Sequence, residues 1–277
     1  MIPRDFVTEW RREAPWVQDA HVEQDLVISR AIVEIFGDET LGRSLSFRGG
    51  TALHKLFLLP PVRFSEDIDL VQTEAGRGVP LFDRLRAQLD PWLGKPTRKV
   101  KEGRVNLVYR FGSEDRPPVP LRLKIEINSA ERFTELGYRR VPCAVRSRWF
   151  DGAVEVNTFA LDELLGTKMR ALYQRSKGRD LFDLWYALSR GGVNPDAVVA
   201  CFGRYMREGG LIVSRAQFEG NLAAKREDRE FRADMGPLLR PGTEWASEAA
   251  FDLVASTLVS RLPGEPWKDR PREGGPR

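Results

Sequence analysis

The chain has 277 residues, 42% hydrophobic and 30% charged, enough to bury a sizeable core in one large domain or two modest ones. No run of eighteen apolar residues occurs and charges break the first nineteen positions, which excludes a membrane span and a signal core and leads us to expect a cytoplasmic protein with no membrane partner. With 44 Lys and Arg against 40 Asp and Glu, the net charge of +4 permits a polyanionic partner without requiring one.

Residues 5–12 and 17–36 read as helices, the second with apolar positions at Val22, Leu26, Ile28, Ile32, Ile35 and Phe36 that suit it to cover a sheet. Glu23 and Asp25 lie on it as a solvated face or as support for a site. Residues 45–48 are short and half apolar and run into Gly49-Gly50, as a strand entering a tight turn does. A helix over 52–59 follows. The two glycines let backbone approach a ligand with no Cβ in the way, and Thr51 stands at an N-cap or first-turn position, so free amides and a hydroxyl are offered to a phosphate. After the Pro60-Pro61 break, residues 64–71 read as a strand with Asp67 and Asp69 on one face and Ile68 and Leu70 on the other. Two carboxylates at that spacing suit shared metal ions held about 3.5 to 4 Å apart. Ser65, on the carboxylate face, is a candidate triphosphate contact and a candidate phosphorylation point, where a phosphate would repel a nucleotide; an ordinary strand serine is the plain alternative.

Residues 82–93 form an amphipathic helix, and 99–101 with 105–111 a hairpin around Glu102-Gly103. Residues 121–128, LRLKIEIN, alternate strictly, which puts Glu126 on the polar row of a strand able to pair beside Asp67 and Asp69. There it serves as a solvated residue or as a third carboxylate that takes a proton or holds a second metal. A short strand at 154–158 precedes a helix at 160–174, whose apolar stripe Lys168 interrupts, so its ammonium either snorkels out or enters a polar cleft. Gly178 ends one helix and Asp180 starts another; capping and ion pairing with Lys168 or Arg175 stand beside substrate contact for Asp180, while Asp183 reads as structural. The rest to 262 is helical. Cys143 and Cys201 have neither disulfide nor metal spacing and read as buried small residues.

The words FRGGTALHK and RFSEDIDL resemble the nucleotidyltransferase superfamily with the DNA polymerase β type fold. They most resemble the AbiEii-type toxins of bacterial type IV toxin–antitoxin systems, which include the mycobacterial MenT-like enzymes. The chain departs from the superfamily pattern in carrying Thr51 where a serine is usual and in the longer gap to Asp67. The resemblance covers residues 22–188. It implies an α+β fold, with a polymerase β-like mixed sheet domain at 1–152, a mainly helical domain at 153–262 framing a cleft, and a tail at 263–277 whose composition reads as disordered. It also implies transfer of a nucleoside monophosphate from an NTP, with Mg²⁺ or Mn²⁺, onto RNA, foremost the 3′ end of tRNA, which blocks translation and growth; a cognate antitoxin would be encoded nearby. Gly49, Gly50, Thr51, Arg63 and Ser65 would face the nucleotide, Asp67, Asp69 and Glu126 the metals and the chemistry, and Lys168, in a KMRAL setting, the phosphates, with Asp180 nearby. An acceptor that is a protein side chain or an antibiotic, and a non-catalytic binding protein on this fold, are the alternatives.

Overall fold

Alternation along Pro120–Asn128 (β5) buries Leu121, Leu123, Ile125 and Ile127 on one face and turns Arg122, Lys124 and Glu126 to the other. The computed structural model, which describes residues 2–74, 79–101 and 103–268, places β5 inside a seven-stranded mixed sheet. Its other strands are β1 (Leu45–Arg48), β2 (Asp67–Gln72), β3 (Thr97–Lys101), β4 (Arg104–Gly112), β6 (Tyr138–Arg146) and β7 (Asp151–Phe159), in the order β3-β4-β5-β2-β1-β7-β6. β2 runs parallel to β5, and β1 parallel to β7; the other pairs are antiparallel.

The chain divides into two compact units, the first reaching to Leu164 and including Pro237–Glu244, the second running from Leu165 to Gly236 and from Trp245 onward. Gly152, taken as the boundary from sequence, lies inside β7 opposite Val145. β6 is absent from the sequence reading because most of its positions are exposed, so it carries no apolar alternation.

In the first unit the sheet is covered by α2 (Asp19–Gly37), which packs on β7, β5 and β2 and buries Val22, Leu26, Ile28, Ile32 and Ile35. Before it, α1 (Arg4–Trp10) is tied down through Asp25, whose carboxylate accepts from the Trp10 and Trp16 indoles and from Lys55 Nζ. Asp25 is therefore a buried structural anion, and Glu23 accepts from the Glu114 amide. α3 (Glu39–Ser44), capped by Asp38, feeds β1. A single helical turn, α4 (Gly49–Ala52), continues as a π-helical segment, Leu53–Phe57, closed by the Leu58 amide on the Leu53 carbonyl. α5 (Val79–Leu93) packs on β4. The hairpin between β3 and β4 forms with Gly103 at φ +67°, while Glu102 lies outside the described residues.

The second unit is helical: most of α6 (Leu161–Gln174), then α7 (Gly178–Arg190), α8 (Pro195–Glu208), α9 (Arg215–Glu227), α10 (Arg229–Ala233) and α11 (Ser247–Thr257). Its core gathers Leu172, Leu181, Phe182, Phe202, Phe218 and Phe251. Gly178 opens α7 rather than ending α6, which stops at Gln174, and a Cβ there would lie 2.3 Å from the Phe231 carbonyl oxygen. Cys201 is buried as expected, whereas Cys143 is half-buried on β6. Of the stretch read as a disordered tail, Trp267 donates its amide to Glu219 at 2.6 Å, and 269–277 lie outside the described residues. No helix among the described residues is long and apolar enough to cross a membrane.

Candidate active site

β2 buries Ile68 and Leu70 fully and holds Asp67 and Asp69 half-buried on the opposite face. The parallel register with β5 sets Asp69 opposite Glu126 and Asp67 opposite Lys124, so the third carboxylate stands beside the pair. Lys124 Nζ lies 3.1 Å from Glu126 Oε2 and 3.7 Å from Asp67 Oδ2, and Arg104 Nη1 lies 3.7 Å from Glu126 Oε1. Among the described residues no three Asp, Glu, His or Cys side chains converge as a metal-binding group. The geometry thus departs from the expected three-carboxylate cluster: the Lys124 ammonium sits between Asp67 and Glu126 and offsets their repulsion.

Burial pushes the Asp67 carboxyl up to about 6; Lys124 opposes that shift and the Asp69 charge adds to it. Burial works against the Lys124 ammonium, but Asp67 and Glu126 outweigh it and hold its pKa above the ordinary value. Asp67 Oδ1 is buried with no hydrogen-bond partner. A buried, unsatisfied carboxylate oxygen beside a second carboxylate is what a divalent cation with oxygen ligands satisfies, so the Asp67–Asp69 pair fits such an ion.

The Gly-Gly turn answers to these side chains. Gly49 has φ +83°, and a Cβ on it would sit 2.2 Å from Asp69 Oδ2; one on Gly50 would sit 2.4 Å from Arg63 Nη2 and 3.2 Å from Ser65 Oγ. The turn is glycine first of all because Asp69 and Arg63 occupy the space a side chain would need. Thr51 is the third residue of α4 rather than its N-cap, a position held by Arg48. Its buried hydroxyl donates to the Asp67 carbonyl and lies 2.9 Å from the Ser65 hydroxyl, which stitches the turn to the carboxylate strand. Arg63, expected on the nucleotide, is only 2% exposed and donates to the Phe64 carbonyl at 3.0 Å. It backs the turn from inside. On the other flank Arg48, opposite Asp69 in the β1–β2 register, pairs with Glu131 at 2.9 Å.

In the second unit, Lys168 is 6% exposed and neither snorkels nor lies open. Its ammonium is 3.1 Å from Asp180 Oδ1 and 2.9 Å from Asp183 Oδ2. Asp180, fully buried, does not cap α7; it accepts from Arg175 Nε at 2.7 Å, and despite burial Lys168 and Arg175 hold its carboxyl below the usual range. Lys225 donates to the Tyr173 carbonyl at 3.2 Å near the end of α6, and burial lowers its pKa to about 8.

Two participants were missed from sequence. Lys124 and Arg104 carry the counter-charge of Glu126, and the first was legible: it shares the polar row of LRLKIEIN two positions before Glu126. Arg104 had no such signal, since only the β4–β5 pairing brings it there.

The mixed sheet thus presents an Asp-x-Asp strand against a Gly-Gly turn, with a carboxylate on the adjoining parallel strand. The model of the nucleotidyl transferase AbiEii toxins of type IV toxin–antitoxin systems matches residues 30–253, and the chain belongs to this family. Among solved structures it is similar to MenT4, a nucleotidyltransferase toxin from Mycobacterium tuberculosis H37Rv, at 17% identity and a TM-score of 0.65, over 95% of this chain and 91% of that one. JHP933 from Helicobacter pylori is similar at 18% identity and a TM-score of 0.50, over 89% of this chain and 94% of the other. No curated protein sequence matches the chain.

Proposed function

We propose that the protein transfers a nucleoside monophosphate from an NTP to a hydroxyl of RNA, foremost the 3′ end of tRNA, and that this blocks translation. The acceptor oxygen bonds to the α-phosphorus, the bond to the bridging oxygen breaks, and pyrophosphate leaves with that electron pair. One observation carries the reading: Asp69 stands opposite Glu126 while its neighbour Asp67 keeps a buried oxygen with no partner. Asp67 and Asp69 would hold Mg²⁺ or Mn²⁺, which when bound neutralises phosphate charge as it develops. Glu126, paired with Lys124 and Arg104, takes the proton of the attacking hydroxyl. Gly49 and Gly50 let the phosphates approach the backbone; buried Thr51 and Arg63 position the turn, and half-buried Ser65 contacts the triphosphate. Lys168, Asp180 and Asp183 form a buried charge cluster within the second unit. An antitoxin partner follows from the family, and the cytoplasm is where NTP and tRNA meet.

Purified protein incubated with Mg²⁺, total tRNA and each of the four α-labelled NTPs tests this, with Asp67→Ala as control. Label on tRNA that the variant abolishes supports the proposal and names the base. No label with any NTP overturns tRNA as the acceptor and directs attention to protein and small-molecule acceptors.

A further inference from the structure

The carboxylate face of the sheet does not end at β5. Register carries it outward through two more strands: Glu126 lies opposite Asn106 on β4, and Asn106 opposite Lys99 on β3. The neighbouring rows bring Arg104 against Lys101 and Arg122 against Arg110. All five of these cations are exposed, Arg104 and Arg122 by 54% and 58% of their side chains. The opposite face of the same strands is spoken for. Val105, Leu107 and Tyr109 are buried there, and Arg98, one residue off the row, turns away to lie 5.0 Å from the Phe82 ring.

The charges on this face are one-sided. β3 and β4 contribute no carboxylate to it among the described residues, and Lys99, Lys101 and Arg110 make no ion pair there; Arg122 pairs with Glu66 at 3.3 Å. A lysine-rich edge strand by itself is a common device against edge-to-edge pairing. That device needs only β3, the edge, and does not account for Arg104, Arg110 and Arg122 on interior strands. A nucleotide bound at Asp67 and Asp69 does not account for them either. With strands about 4.8 Å apart, Lys99 lies about 14 Å across the sheet from Asp69, beyond a triphosphate held at the carboxylates. What spans such a distance with regularly spaced negative charge is a nucleic-acid backbone.

We infer that the polar face of β3, β4 and β5 is the platform for an RNA acceptor, whose phosphates run over Lys99, Lys101 and Arg110 as its terminal hydroxyl reaches Glu126. This rests on the proposed RNA acceptor and adds where it binds and how. The face presents no aromatic side chain on β3 or β4, so it grips phosphates rather than stacking bases, and binding is insensitive to sequence and strongly salt-dependent.

The test compares wild type with Lys99→Ala/Lys101→Ala/Arg110→Ala, three exposed positions outside the catalytic groups, with circular dichroism confirming the fold. Affinity for total tRNA is measured across a salt series, and affinity for a fluorescent NTP in parallel. The expected result is a loss of about tenfold or more in tRNA affinity and a salt slope shallower by about 2 to 3, as fits the loss of three phosphate contacts, with NTP affinity unchanged. Unchanged tRNA affinity and slope in the variant, with tRNA labelling intact, overturns the platform and leaves the nucleotidyltransferase reading standing. Loss of tRNA and NTP binding together overturns it in favour of a triphosphate site. A wild type that binds NTP but no RNA overturns both the platform and the RNA acceptor.

Discussion

Gly49→Ala separates the two demands that converge on the turn. At φ +83° an alanine bears the strain of left-handed backbone, about 1–2 kcal/mol. Its Cβ would also fall 2.2 Å from Asp69 Oδ2 and 3.1 Å from Asp69 Cβ, so the carboxylate has to move by about 1 Å to reach ordinary contact. A displacement of that size at a catalytic group costs about 100-fold in rate, or about 2.7 kcal/mol of transition-state stabilisation. Gly94 supplies the control, since it has φ +76° and open space where a Cβ would go. Gly94→Ala therefore carries the backbone strain without the displacement. Urea unfolding should show a loss of about 1–2 kcal/mol for Gly94→Ala and a larger one for Gly49→Ala, and single-turnover nucleotidyl transfer should fall only for Gly49→Ala. A folded Gly49→Ala protein that transfers within threefold of wild type would refute the reasoning that the turn is glycine to make room for Asp69.

Lys168→Met leaves Asp180 and Asp183 buried without their shared cation, and urea unfolding should show the second unit less stable by about 3–5 kcal/mol. Thr51→Val removes the donor to the Asp67 carbonyl and should cost about 1–3 kcal/mol in thermal unfolding, most of it restored in Thr51→Ser. Lys225 has a folded pKa near 8 against an ordinary 10.5. Between those values the unfolded chain binds more protons, so this residue makes stability rise with pH, from about 8 to about 10.5. The difference in stability between wild type and Lys225→Met, followed by denaturant titration over that range, should change in that direction; a difference flat with pH would contradict the buried position.

The parts of the site written in local sequence were legible. Period two along 64–71 and 121–128 put Asp67, Asp69 and Glu126 on polar faces, and the parallel pairing of β2 with β5 sets Asp69 and Glu126 side by side. The strand itself is shorter than the reading, starting at Asp67, because Arg63 makes an isolated bridge to Leu239 and Phe64 donates its amide to the Leu238 carbonyl instead. Burial was harder to read. Arg63 looks like an exposed charge in a polar stretch, and only the tertiary fold shows it packed beneath Gly50; for Asp180 the sequence offers the pairing with Lys168 and Arg175 but not its full burial. The Lys124 counter-charge was visible as a residue but not as a partner, since its contact with Asp67 depends on the register between two strands far apart in the chain. The edge strands β3 and β6 expose most of their side chains, and β6 accordingly left no apolar pattern to find.

The central claim is that the face carrying Asp67, Asp69 and Glu126 performs nucleotidyl transfer. Asp69→Asn tests it most directly, because the amide keeps the size of the side chain beside Gly49 and removes only the charge. Single-turnover transfer from an α-labelled NTP to the preferred acceptor should fall by about a hundredfold to a thousandfold, as expected when the cation that Asp69 would hold no longer offsets the charge on the reacting phosphate, while unfolding and NTP-independent tRNA binding stay near wild type. Transfer at the wild-type rate by a folded Asp69→Asn protein would contradict the account and move the chemistry away from this strand.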